Sequence, residues 1–117
     1  MSYDIDLIDP ETGEIAKVDN HTEGGTYAIG GIEQSSLNVT YNYSKHFYDH
    51  LDAKKGIRWL YGKKAKNTAM RLRKAVKELG TQPDKDYWLS TPGNAGYALS
   101  VLLGWAENNP ECVWRGD

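Results

Sequence analysis

The hydrophobic period changes along this chain of 117 residues, from two in its first part to 3.6 in its second. Tyr3, Ile5 and Leu7 alternate with Asp4 and Asp6, and Leu37, Val39, Tyr41 and Tyr43 alternate with Asn38, Thr40 and Asn42. Successive strand residues point to opposite faces, so both runs predict half-buried strands. Asp9-Pro10-Glu11-Thr12-Gly13 supplies a turn, and Glu14 to Val18 should return as the second arm of an N-terminal hairpin. Two glycine pairs, Gly24-Gly25 and Gly30-Gly31, bracket a short β-prone run read as a further strand.

Beyond Tyr43 the pattern becomes helical. Ser44 is placed to cap a short helix reaching about Leu51, with Phe47 and Leu51 on one face. Gly56 to Tyr61 allows one helical turn, ended by Gly62. Ala65, Ala69, Leu72, Ala75, Val76 and Leu79 form an apolar stripe that predicts a helix over 64–79, with Gly80 closing it. An extended Asp86-Tyr87-Trp88-Leu89 follows. Thr91 as N-cap and Pro92 at the first helical position open the last helix, which Asn108, Asn109 and Pro110 stop, leaving Cys112-Val113-Trp114 as a tail able to pair or pack.

Strands early and helices late predict a single α+β domain over 1–117. Its N-terminal antiparallel sheet, a hairpin plus two further strands, packs against two or three C-terminal helices. Leu37, Val39, Tyr41, Leu72, Val76, Leu99 and Leu103 are its expected core.

Charge is segregated more sharply than the net value of −2 suggests. Ten of the fourteen basic residues lie between Lys54 and Lys77 with no acidic residue among them, leaving −12 for the rest of the chain. Such a run is either a solvated face attracted to the acidic remainder, within or between subunits, or an anion site for phosphates or acidic protein. On the second reading Arg58, Lys63 and Lys64 are the first candidates. Arg58 adjoins Trp59, and Gly62 lets the chain turn so that both lysines approach a helix start. Attraction between the acidic body and the basic segment also predicts a homo-oligomer.

A second candidate surface is polar. His21, Thr26 and Tyr27 in the glycine-rich stretch and Asn38, Thr40 and Asn42 on one strand face could hydrogen-bond a small ligand, or form the solvated side of a sheet. The glycines fit neither the phosphate-loop nor the dinucleotide pattern. His46 and His50, four apart, could supply two metal ligands, but no third is fixed by spacing, so neither a metal nor any other cofactor is expected. Cys112 is the only cysteine and has no base beside it in sequence, which favours an inert thiol in a reducing compartment. No apolar run is long enough to span a membrane and no export signal stands at Met1, so the cytoplasm is the expected location. Arg115-Gly116-Asp117 is a chance match to an adhesion tripeptide.

Four runs, Gly24-Gly25-Thr26-Tyr27-Ala28-Ile29-Gly30-Gly31, Leu37-Asn38-Val39-Thr40-Tyr41-Asn42-Tyr43, Asp86-Tyr87-Trp88 with Thr91-Pro92-Gly93-Asn94-Ala95, and Val113-Trp114-Arg115-Gly116-Asp117, together resemble small accessory proteins of phages and related mobile elements. The resemblance implies a bacterial host cytoplasm and action by binding and blocking, including inhibition of a defence system. With no catalytic constellation in view, the leading expectation is a non-enzymatic binder of a phosphate-bearing, nucleotide-like ligand or of an acidic host-protein surface. The alternatives are a nucleic-acid binder using the 54–77 segment and a small enzyme acting on a nucleotide or protein side chain, with His21, Tyr27 and Asn38 first to test.

Overall fold

The structure, a computed structural model, describes residues 1–18, 26–28 and 33–117. A four-stranded antiparallel sheet is built from β1 (Ser2–Ile8), β2 (Thr26–Ala28), β3 (Ser36–Thr40) and β4 (Val113–Gly116), in the order β2-β3-β1-β4. Three helices pack with it, α1 (Ser44–His50), α2 (Ala69–Leu79) and α3 (Pro92–Asn108). The α+β architecture expected from the change of period is therefore present.

β1 runs as its alternation requires, with Tyr3, Ile5 and Leu7 buried. These residues meet Leu37 and Val39 of β3, Trp114 of β4, Phe47 of α1, Leu72 and Ala75 of α2, and Leu99 and Leu102 of α3 in one apolar cluster. Of the expected core, Leu37, Val39, Leu72 and Leu99 are fully buried, while Tyr41, Val76 and Leu103 pack against the cluster only in part.

Several boundaries differ from the sequence reading, and each has a local cause. The return arm Glu14–Val18 is not a strand but a chain of isolated bridges, Ile8 with Ile15 and Lys17 with Gln34. Ser35 wedges in, its N–H and its Oγ both donating to the Ala16 carbonyl while the Oγ also reaches Leu7 O. The strand expected to reach Tyr43 ends at Thr40, and Tyr41–Tyr43 form a 3-10 turn because Thr40 Oγ1 accepts from the Asn42 N–H. Ser44 does not cap α1; its hydroxyl bonds Tyr3 Oη at 2.6 Å. The helix expected from residue 64 begins at Ala69, behind a 3-10 turn over Ala65–Asn67. Amides that would have extended it donate elsewhere, Ala65 N to Cys112 O and Lys66 N to Pro110 O. Asp86–Leu89 is a run of bends and turns, not an extended segment.

The tail contributes the strand left open by the sequence. β4 pairs antiparallel with β1, Trp114 opposite Leu7, and its other edge is closed by Gly62 N donating to Trp114 O and Trp114 N donating to Lys63 O. Gly62, at φ 85°, makes the turn that brings these groups into register. α3 starts as read, with Thr91 Oγ1 accepting from Asn94 N. It lies close against the end of α2, because a Cβ on Gly96 would overlap the Gly80 carbonyl oxygen.

Candidate functional site

Several of the ten cations of the basic segment are engaged by local partners. Lys64 and Lys66 share Glu111 at 3.2 and 2.9 Å, Arg73 pairs with Glu107 at 3.0 Å, and Arg71 lies 3.8 Å from Asp52. These pairs are exposed and screened, so they order side chains more than they stabilise the fold. Their electrostatic trace is clear: Lys66 and Lys64 hold the Glu111 carboxyl below its usual range, and the Lys55 amide, with Lys54 N–H and Arg71, does the same for Asp52. Trp59 takes one more cation and shares another, with Lys63 Nζ 4.7 Å and the Arg71 guanidinium 4.1 Å from its ring. Lys63 also donates to Trp59 O at 2.6 Å.

Arg58 stands apart. Its guanidinium lies 4.9 Å from the Tyr3 ring and 5.6 Å from the Tyr41 ring, while Nη2 donates to Tyr41 Oη at 3.1 Å and Nε to the Asp117 main-chain oxygen at 3.3 Å. Tyr61 Oη donates to the same oxygen at 3.1 Å. The corner is built by β1, the Tyr41–Tyr43 turn, the 3-10 turn over Gly56–Leu60 and the chain end after β4. Among the described residues no carboxylate side chain pairs with Arg58, although the residue is exposed. Two aromatic faces, the Tyr41 hydroxyl and the Asp117 main-chain oxygen thus hold the guanidinium in one orientation.

The polar face of the sheet is used internally. Asn38 Nδ2 donates to Ser2 Oγ and Asp4 Oδ1, each at 2.6 Å, Ser36 Oγ donates to Asp6 Oδ1 at 2.7 Å, and Arg115 reaches Asp6 Oδ2 at 2.9 Å. Asn38 and Thr40 are buried. Asn42 leaves this face and donates to Trp88 O at 2.8 Å. Of the nine residues singled out from sequence, Arg58, Lys63, Lys64, Asn38, Thr40 and Asn42 therefore fall into separate local networks. Thr26 and Tyr27 lie on β2, opposite Val39 and Asn38, and His21 lies outside the described residues.

The loop between α2 and α3 carries a feature the sequence reading missed. Its residues 84–90 are exposed, yet side chains of the body hold its backbone. Asn94, fully buried, accepts from Asp84 N and donates to Asp86 O and Leu89 O; Tyr43 donates to Tyr87 O, Asn42 to Trp88 O, and His46 Nε2 contacts Ser90 O at 3.0 Å. Every carbonyl from 86 to 90 has a partner. His46 is thereby a brace and His50 pairs with Glu78, and no cluster of metal-ligating residues exists among the described residues. Burial pushes the Cys112 thiol above its ordinary value, with Asp9 adding to the effect, which disfavours a thiolate.

Two phenols share in these networks. Burial first, then the charges of Tyr87 and Asp86, raise Tyr43 far above a phenol's ordinary value near 10, and burial raises Tyr61 against the opposing pull of Arg58. A raised folded-state value means that the neutral phenols stabilise the fold fully below about pH 10, and that this contribution fades as pH rises above it and the unfolded chain ionises first. Unfolding free energies from urea titration should therefore fall above about pH 10, by up to about 1.4 kcal/mol per pH unit for each phenol, and Tyr43→Phe should flatten that fall. A midpoint independent of pH in that range would contradict the burial of these hydroxyls.

Comparison of the chain with protein-family models, curated proteins and solved structures finds no match. No helix among the described residues is long and apolar enough to cross a membrane.

Proposed function

We propose that this is a non-enzymatic binding protein that captures the phosphate of a nucleotide-like ligand at Arg58. The supporting observation is the exposed guanidinium, pre-oriented on Tyr3 and Tyr41 and paired with no carboxylate side chain among the described residues. An Arg fixed by stacking offers its remaining N–H donors as a planar fork, the geometry that bidentate phosphate recognition uses, and little side-chain entropy is lost when a ligand arrives. The two contacts to Tyr41 and Asp117 use two of the roughly five N–H donors of a guanidinium. Lys63 and Lys64 are committed to Trp59 and Glu111 and serve as a positive surround. In the phage setting that the resemblance implies, sequestering a nucleotide-like signal would act as counter-defence.

Native mass spectrometry of the full chain recovered from phage-infected bacteria tests this reading. A mass addition the size of a phosphate-bearing small molecule, present on wild type and absent from Arg58→Ala, is expected. A host protein retained in place of a small molecule, equally on both variants, would overturn it.

A further inference from the structure

The 84–90 loop carries three large apolar side chains in succession to the surface, Tyr87, Trp88 and Leu89, at 39%, 50% and 47% exposure. Tyr87 and Trp88 lie against each other with ring centroids 4.6 Å apart. Because every carbonyl from 86 to 90 is already bonded, this tip can enter an apolar contact without leaving a backbone carbonyl unpaired. Asp84 and Asp86 flank it, each accepting a backbone N–H and neither pairing with a cation among the described residues. The occupant is therefore apolar and bordered by positive charge, which disfavours a nucleic acid or an anionic lipid surface.

The outer face of α2 has that chemistry. Met70, Lys74 and Lys77, four and three residues apart, share one exposed ridge, with Met70 at 80% exposure. Neither lysine has a side-chain partner among the described residues, and the carboxylates nearby, Glu78 and Glu107, are engaged by His50 and Arg73. No hydrogen bond or ion pair among the described residues joins this ridge to the 84–90 loop. One molecule leaves both surfaces open, whereas two related by a twofold axis can fill both reciprocally.

We propose that the protein forms a homodimer in which the Trp88 tip of each copy docks on the Met70 ridge of the other, Asp84 and Asp86 meeting Lys74 and Lys77. Met presents a polarizable thioether suited to an indole or phenol ring, and the opposed charges set the register.

Sedimentation of the full chain across a concentration series up to about 500 μM tests this, a range in which dissociation constants from micromolar to sub-millimolar are readable. Wild type should dimerise, and more weakly as salt rises. Trp88→Ala and Met70→Glu should each weaken association by at least about tenfold; Met70→Glu alters only an exposed helix position, so its fold is secure even if the loop variant's is not. Asp84→Lys with Asp86→Lys, and Lys74→Glu with Lys77→Glu, should each be monomeric alone and associate when mixed. A wild type that stays monomeric throughout, or charge-reversed chains that do not associate when mixed, would overturn the proposal. So would dimerisation that Met70→Glu leaves unchanged, since a different protein or polyanion would then be the ridge's partner.

Discussion

Trp114→Ala should cost about 3–5 kcal/mol of folding stability, read as a shift of the urea midpoint at unchanged slope. Trp114 is 1% exposed on β4 and joins three parts of the molecule. Its ring enters the sheet side of the core opposite Leu7, its Nε1 donates to Thr68 Oγ1 at 2.9 Å, and its backbone pairs with Gly62 and Lys63. Thr68, itself fully buried, passes the chain on to the Ala65 carbonyl at 2.7 Å. Truncation removes a large buried surface and leaves the threonine hydroxyl short of a donor. Domains of this size hold only about 5–15 kcal/mol in all, so the variant should be close to unfolding at physiological temperature. Trp114→Phe keeps most of the apolar volume and should lose less than half as much. A midpoint within error of wild type for the alanine variant would remove β4 from the fold's foundation.

Leu99→Ala should cost about 2–5 kcal/mol, and Leu103→Ala clearly less. Both stand on the apolar side of α3, but Leu99 is fully buried within the apolar cluster while Leu103 is only partly covered. The cost of a truncation follows the cavity it leaves, and at Leu103 solvent can reach part of that space. Equal losses at the two positions would show that α3 is rotated from its described packing. Asn94→Ala should be milder for stability, about 1–3 kcal/mol, because the loop groups it leaves unpaired can turn to water. Its larger effect should be faster hydrogen exchange at the Asp84 amide, and unchanged protection there would deny Asn94 its bracing role.

The contrast between Leu99 and Leu103 shows what periodicity can and cannot reveal. A 3.6-residue stripe names the face of a helix that turns inward, but the depth of each residue on that face depends on what lies opposite. The same limit explains Tyr43. Alternation correctly paired it with Leu37 and Val39 on the buried side, yet the backbone beyond Thr40 coils into a 3-10 turn, because a threonine hydroxyl competes for the Asn42 amide. Thr91 and Pro92 gave the start of α3 directly, since capping is a local event. The delayed start of α2 was not legible, because the amides of Ala65 and Lys66 are taken by the distant carbonyls of Cys112 and Pro110.

The candidate site divides in the same way. The basic run was plain in composition, but which of its members are engaged depends on Glu111, Glu107, Asp52 and Trp59, whose proximity only the fold creates. Arg58 has Trp59 as its aromatic neighbour in sequence. The rings it lies over are Tyr3 and Tyr41, supplied by distant strands and turns. The bracing of the 84–90 loop left no periodic signal at all. Its nearest sequence sign was Asn94, a polar residue in the first turn of α3 that needs partners when it is buried.

Calorimetric titration of the purified full chain with nucleoside mono-, di- and triphosphates and inorganic phosphate tests the central claim most directly. Arg58→Ala should lose at least about 100-fold in affinity for the phosphate ligands that wild type binds, and Arg58→Lys, which keeps the charge without the planar fork, should recover only part of it. Lys64→Ala should bind within a few-fold of wild type, because its ammonium is held by Glu111 and only adds to the surrounding field. Equal binding by wild type and a folded Arg58→Ala, or no binding of any of these ligands by wild type, would contradict the account.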